Sequence, residues 1–136
     1  MKHIISILLI LTTLLSCSDN FDNVSLEVTT IARGNNFQYS NYEELGEYLV
    51  ITNSIHWDNI KTQIQSDELL EDNIDFNTYT VIAVIDQVQN SGGYDVEIQS
   101  VIEQEDEIVV ETAFTQPNGG GVTLALTRPY HFIKVN

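Results

Sequence analysis

One thiol, two histidines beyond the first residues and an excess of carboxylates are the reactive groups of this 136-residue chain. The thiol is Cys17, closing the run Leu14-Leu15-Ser16-Cys17. A single cysteine forms no internal disulfide, and an odd thiol in an exported chain calls for a partner or a modification. It also rules out a disulfide framework and a cysteine-based zinc site. His56 and His131 lie too far apart in sequence to make a metal site by spacing, and neither belongs to a His-Glu-x-x-His motif. A hydrolytic triad needs a nucleophile, a base and an orienting acid. No Gly-x-Ser-x-Gly and no P-loop are present, and His131, alternating with Tyr130 and Phe132, reads as a structural histidine in a strand. Gly119-Gly120-Gly121 precedes a strand-like run rather than a helix, so no helix N-terminus aims amides at a phosphate there. The acidic stretch Asp67 to Asp75 has the composition of a calcium loop without its Asp-x-Asp-x-Asp-Gly spacing or closing glutamate, and reads as a solvated helix end and loop. No catalytic residue, metal ligand set or cofactor is expected.

The surroundings of Cys17 explain its solitude. A short basic start (Met1, Lys2, His3) is followed by an apolar stretch from Ile4 to Leu15, broken only by Ser6, Thr12 and Thr13. That is the pattern of a secretory signal, too short for the roughly 20 residues of a spanning helix. With Ser16 as the small residue before the cysteine, Leu-Leu-Ser-Cys resembles the lipobox of bacterial lipoproteins. The resemblance implies residues 1–16 as a cleaved signal peptide, a diacylglyceryl thioether on Cys17 and acylation of the new N-terminus. Two or more acyl chains anchor stably where one is marginal. The expected location is the cell envelope, lipid-anchored at the bacterial outer membrane. Residues 17–23, polar and acidic apart from Phe21, read as the tether.

Beyond the leader, Arg33, Lys61, Arg128 and Lys134 stand against 20 Asp and Glu. Such a surface repels phosphates and anionic headgroups, so nucleic acid is excluded as a natural partner. The acidity is not that of a disordered tail, because 43% of the residues are hydrophobic and they are grouped.

That grouping specifies mostly strands over a single domain, residues 24–136. Val24, Leu26 and Val28 alternate with polar residues, Gly34-Asn35-Asn36 marks a turn, and Tyr48 to Thr52 is a second strand. Asn41 to Glu44 has the makings of a short capped turn, limited by Gly46. Ser54 is expected as the N-cap of one helix, with Asp58 in its first turn and Trp57, Ile60 and Ile64 on its buried face. Tyr79 to Ile85 is continuously apolar, as in a strand buried on both faces. Tyr94, Val96 and Ile98 begin a half-buried strand, Glu105-Asp106 tips a hairpin, and Ile108 to Phe114 returns. Val122 to Leu126 and Tyr130 to Val135 complete seven strands, five of them after the helix. The expected class is α+β, a mainly antiparallel sheet with one packed helix.

The C-terminal half also carries a recognisable order of blocks. Thr80-Val81-Ile82-Ala83-Val84 is followed by Ser91-Gly92-Gly93-Tyr94-Asp95-Val96-Glu97-Ile98, a charged hairpin and Gln116-Pro117. Leu124-Ala125-Leu126-Thr127-Arg128-Pro129-Tyr130-His131-Phe132-Ile133-Lys134-Val135 ends it. Over about residues 76–136 this resembles the PrcB family of protease complex subunits, and Trp57 sits where such proteins carry a Trp-bearing segment. One departure is the loop Asn118-Gly119-Gly120-Gly121, which has no cysteine or methionine of the kind many relatives would carry. If that loop sets partner choice, the partner differs. The resemblance implies a non-catalytic accessory role, binding and stabilising an exported protease or another envelope protein.

Binding residues favour loops on a rigid sheet, which directs attention to residues 87–94 and 115–121. The candidate contacts are Asn90, Ser91, Gly92, Gly93 and Tyr94 on the first loop, and Pro117, Asn118, Gly119, Gly120 and Gly121 on the second. The alternative reading is a surface lipoprotein that binds a small molecule or a metal.

Overall fold

The described residues form two antiparallel sheets and one helix. The computed structural model describes residues 23–38, 47–64 and 67–136. Strands β2 (Thr29–Gly34), β7 (Tyr130–Val135), β4 (Thr80–Ile85) and β3 (Glu47–Ile51) form one sheet in the order β2-β7-β4-β3. Strands β1 (Val24–Ser25), β5 (Asp95–Glu103) and β6 (Ile108–Thr115) form the other, in the order β1-β5-β6. Helix α1 (Ser54–Lys61) lies on one face of the four-stranded sheet, and the three-stranded sheet covers the opposite face. The α+β class and the single small domain expected from the sequence are both present. Among the described residues no helix is long and apolar enough to cross a membrane.

Alternation along β7 and β4 divides the core in two. Tyr130, Phe132, Val81, Ala83 and Ile85 point to the helix side, where they pack with Ile31, Phe37, Ile51, Trp57, Ile60 and Ile64. His131, Ile133, Val135, Ile82 and Val84 point the other way, toward Val96, Ile98 and Val101 of β5. This is why Val81 to Ile85 reads as an unbroken apolar run: both its faces are covered. Trp57 is 1% exposed and lies 6.0 Å from Phe132 between ring centroids, and its indole N–H donates to the Asp72 carbonyl at 2.8 Å.

Four expectations need correction. The N-cap is Asn53, whose side chain accepts the His56 amide at 2.9 Å; Ser54 is already helical, and Asp58 lies beyond the first turn. Asn and Ser cap about equally well, so local sequence does not separate adjacent candidates. The first alternating run is not one strand. Val24 and Ser25 pair with β5, the chain then crosses between sheets at residues 26–28, and β2 begins at Thr29. Leu26 and Val28 still pack into the core between the sheets, which is what their apolar character recorded.

Val122 to Leu126 is not a strand either. Its alternation is real, but β7 already has β2 on one edge and β4 on the other, so no edge of that strand remains for it. Val122, Leu124 and Leu126 are left exposed, Leu124 at 96%. Four strands, rather than five, therefore follow the helix. The turn read at Asn41 to Glu44 lies outside the described residues, as do the leader, Cys17 and the tether to Asp22.

Residues 67–76 are not the solvated end of the helix, which stops at Lys61. They form an irregular strap across the helix-side core. Leu69 bridges to Ala32, and Leu69, Ile74 and Phe76 pack against the core. Near the end of the strap the Asp75 carboxylate accepts from the Asn77 amide and the Thr78 hydroxyl and is held below the usual carboxylate range by those bonds. Trp57→Ala should cost about 3–5 kcal/mol, the range for large buried aromatic truncations. Denaturant unfolding followed by circular dichroism measures it, and a loss below about 1 kcal/mol would contradict the packing described.

Candidate partner-binding face

The two loops singled out in the sequence meet. Backbone bonds run both ways between Gln89 and Thr127 (2.8 and 2.9 Å), and the Gly92 amide donates to the Thr123 carbonyl at 3.0 Å. The Thr127 hydroxyl adds a bond to the Ser91 carbonyl at 2.9 Å. Thus Asn90, Ser91, Gly92, Gly93 and Tyr94 lie beside the segment from Pro117 through Gly121 to Thr127. Close approach explains the first glycine pair. A side chain at Gly92 would collide with the Thr123 hydroxyl, and one at Gly93 would meet Pro117 Cβ at 2.9 Å. Gly93 also has φ +90°, a conformation L side chains rarely adopt.

The glycine triplet differs. Nothing lies within 4 Å of where a Cβ would stand on Gly119, Gly120 or Gly121, and only Gly119 has positive φ. Packing therefore does not require this run. The same loop presents Leu124 and Leu126 to solvent, so the face joins a polar, glycine-rich tip to exposed apolar side chains.

Arg128 holds the base of both loops, a role that sequence reasoning did not assign. It is 5% exposed, and its Nε donates to the Asp86 carbonyl, where the first loop leaves β4. Its own amide donates to the Asn35 carbonyl at 2.7 Å, and its guanidinium lies 5.8 Å from the centre of the Phe37 ring. Nothing local marks the role: the Arg128-Pro129 pair stands before a strand that itself carries His131 and Lys134.

His131 sits below this face, between the sheets, 2% exposed. Its Nδ1 accepts the Ile98 amide at 2.8 Å, which requires the neutral tautomer with the proton on Nε2; that proton points to the Thr30 hydroxyl at 2.9 Å. Both ring nitrogens are thus committed within the fold, and the lone pair that a general base would use is already bonded. Arg33 reinforces the same junction, reaching Glu97 at 3.0 Å and Asp95 from β2. His56 lies on the helix, on the other side of the four-stranded sheet. Among the described residues no cluster of three or more His, Cys, Asp or Glu could hold a metal.

Residues 80–136 match a family model described as PrcB C-terminal. Over these residues the chain is similar to that family. The match begins at the first residue of β4 and takes in β5, β6, β7 and both loops, four residues later than the boundary read from the sequence. The remaining four residues, Phe76 to Tyr79, belong to the turn that delivers β4. No curated protein and no solved structure matches the chain. Around the matched residues the His131 and Arg33 junction fixes how the two sheets sit, and Arg128 fixes how the two loops leave them.

A pH dependence follows from His131. Burial, then the Arg33 charge, lowers its pKa from the ordinary 6.5, with Glu97 and Asp95 opposing. The unfolded chain takes up a proton near pH 6.5 while the folded chain resists it until lower pH. Its contribution to stability is therefore whole above about pH 6.5 and is lost as pH falls below that value. His131→Asn keeps an acceptor for the Ile98 amide but cannot titrate. The slope of unfolding free energy between pH 7 and pH 5 should become shallower in this variant, and an unchanged slope would refute the assignment.

Proposed function

We infer that this chain is a non-catalytic accessory subunit, lipid-anchored through Cys17 at the cell envelope, that binds and stabilises an exported protease or another envelope protein. The observation that carries the reading is the PrcB C-terminal match over residues 80–136, which spans both loops of the candidate face. Two features support it. The loops are tied to each other by backbone bonds and rest on a rigid base, a pre-organised surface of the kind that binds with little ordering cost. His131, the one histidine within the matched residues, has both nitrogens engaged in holding the sheets together. The outer membrane is the proposed location, with the tether at residues 17–23 spacing the domain from the lipid surface.

Two experiments test this reading. Deleting Gly120 and Gly121 should lower affinity for the partner captured by crosslinking in intact cells by about tenfold, or 1.4 kcal/mol, with little change in melting temperature. Retained affinity, or turnover of a substrate that is lost in His131→Asn, would overturn the proposal. Cys17→Ser should abolish incorporation of a labelled fatty acid and release the protein from the membrane fraction, or leave its signal uncleaved. Continued labelling would exclude Cys17 as the anchor.

A further inference from the structure

The two sheets are pinned along one side and stand apart along the other. On the pinned side His131 and Arg33 bond to Ile98, Asp95 and Glu97 of β5. On the far side, edge strands β3 and β6 flank a groove of about 320 Å³ walled by Leu26, Val50, Ile82, Ile108, Val110 and Val135. Val50 is 64% exposed and Ile108 49%. Register puts Tyr48 and Phe114 on the same inner faces, Tyr48 opposite Val84 and Phe114 opposite Val96, and both are exposed as well.

Sheet edges are normally blunted by lysine, proline or bulges. Strand β6 reads Ile-Val-Val-Glu-Thr-Ala-Phe-Thr, with neither lysine nor proline, and among the described residues it is paired on one side only. The register irregularity of this pair sits at Gln99 on β5, so the free edge of β6 stays regular. Around the groove the charge is all of one sign. Glu103 lines it, Glu105, Asp106 and Glu107 form the exposed hairpin tip, and Glu111 lies on β6. The cations among the described residues are engaged elsewhere: Arg33 with Asp95 and Glu97, Lys61 with Asp58 and Asp72, Lys134 with Glu71, and Arg128 with the Asp86 carbonyl.

We propose that β6 accepts a strand from the protein partner: an extended segment, apolar at alternate positions and flanked by lysine or arginine, that bonds along the free edge and fills the groove. This rests on the accessory-subunit reading for the partner being a protein, and it names a second contact and its chemistry. Main-chain bonds to an edge give affinity and alternate side chains in a groove give specificity. The acidic rim steers a basic segment and repels an acidic one. A second copy of this chain is disfavoured by the same charge, since each carries a net −15. Strand β6 runs directly into the loop that holds the glycine triplet, so a strand laid along it ends beside the candidate face.

The test uses the full chain and a synthetic peptide in which valine and threonine alternate between terminal lysines. At saturation the peptide should slow amide exchange across residues 108–115 by about tenfold or more. The same peptide with terminal glutamates should bind about tenfold more weakly, and E105K/D106K/E107K, confined to the exposed tip, should reverse the preference. A peptide N-methylated at alternate amides should not bind. Four results would overturn the proposal: no slowing along β6, equal binding of the two charge forms, slowing confined to β3, or β6 protected by self-association without peptide. Undiminished binding of the N-methylated peptide, with displacement by a medium-chain alcohol, would also overturn it and leave a small-molecule groove. The variant lacking Gly120 and Gly121 should still bind the peptide. Partner capture that persists without peptide binding would therefore refute the strand contact alone.

Discussion

Strand β7 has neighbours on both edges, a helix layer over one face and a second sheet over the other. A polar group on such a strand has almost no water to turn to, and an unpaired one costs several times what a made hydrogen bond contributes. Each polar side chain on β7 therefore recruits a partner from a different part of the chain. Tyr130 donates to Glu68 of the strap, and burial with that carboxylate raises its pKa far above the ordinary phenol value. His131 engages β5 and β2, and Lys134 binds Glu71 at 2.6 Å while lying 4.6 Å from the centre of the Tyr79 ring. The strap, the second sheet and the edge strand are thus positioned by the needs of one buried strand.

The distribution of charge follows from this arrangement. A chain this acidic has few cations, and those among the described residues are engaged inside its own architecture. The Arg33 pairs are about one-third exposed on the arginine and more on the acids, so their net stabilisation is small. Their effect is geometric: they set the register between β2 and β5. Many of the remaining carboxylates among the described residues are exposed, and a surface of that one sign disfavours anionic partners.

What could be read from the sequence was whatever a local pattern encodes. The unbroken run Val81 to Ile85 gave a doubly covered strand, the spacing of Trp57, Ile60 and Ile64 gave the buried helix face, and the polar tip at Glu105-Asp106 gave the hairpin. Two of the misreadings share a cause: they concern which edge a segment finds, and that is decided by distant residues. Val122 to Leu126 has strand alternation but no edge of β7 to join. Val24 to Val28 alternates continuously yet changes sheets midway. The site shows the same division. The glycines announced two loops, but that the loops touch depends on Gln89, Thr127 and Arg128, none of which carries a local signature of the role. Glu68 and Glu71 looked like solvated acids because nothing near them in sequence betrays Tyr130 and Lys134.

The matched domain begins at Thr80, but its physical boundary does not fall there. Strands β4 and β7 each have an outer edge filled by a strand from before Thr80, and the aromatic side of β7 is roofed by Trp57, Ile60 and Phe37. A polypeptide starting at Thr80 would expose two raw sheet margins and the rings of Tyr130 and Phe132, a recipe for sticking to itself or to other chains. The first half of this protein is thus an obligatory frame around the recognisable half. Any chain sharing only the matched segment must supply the same three pieces, two flanking strands and a roof, from sequence of its own, with no need of likeness to the residues used here.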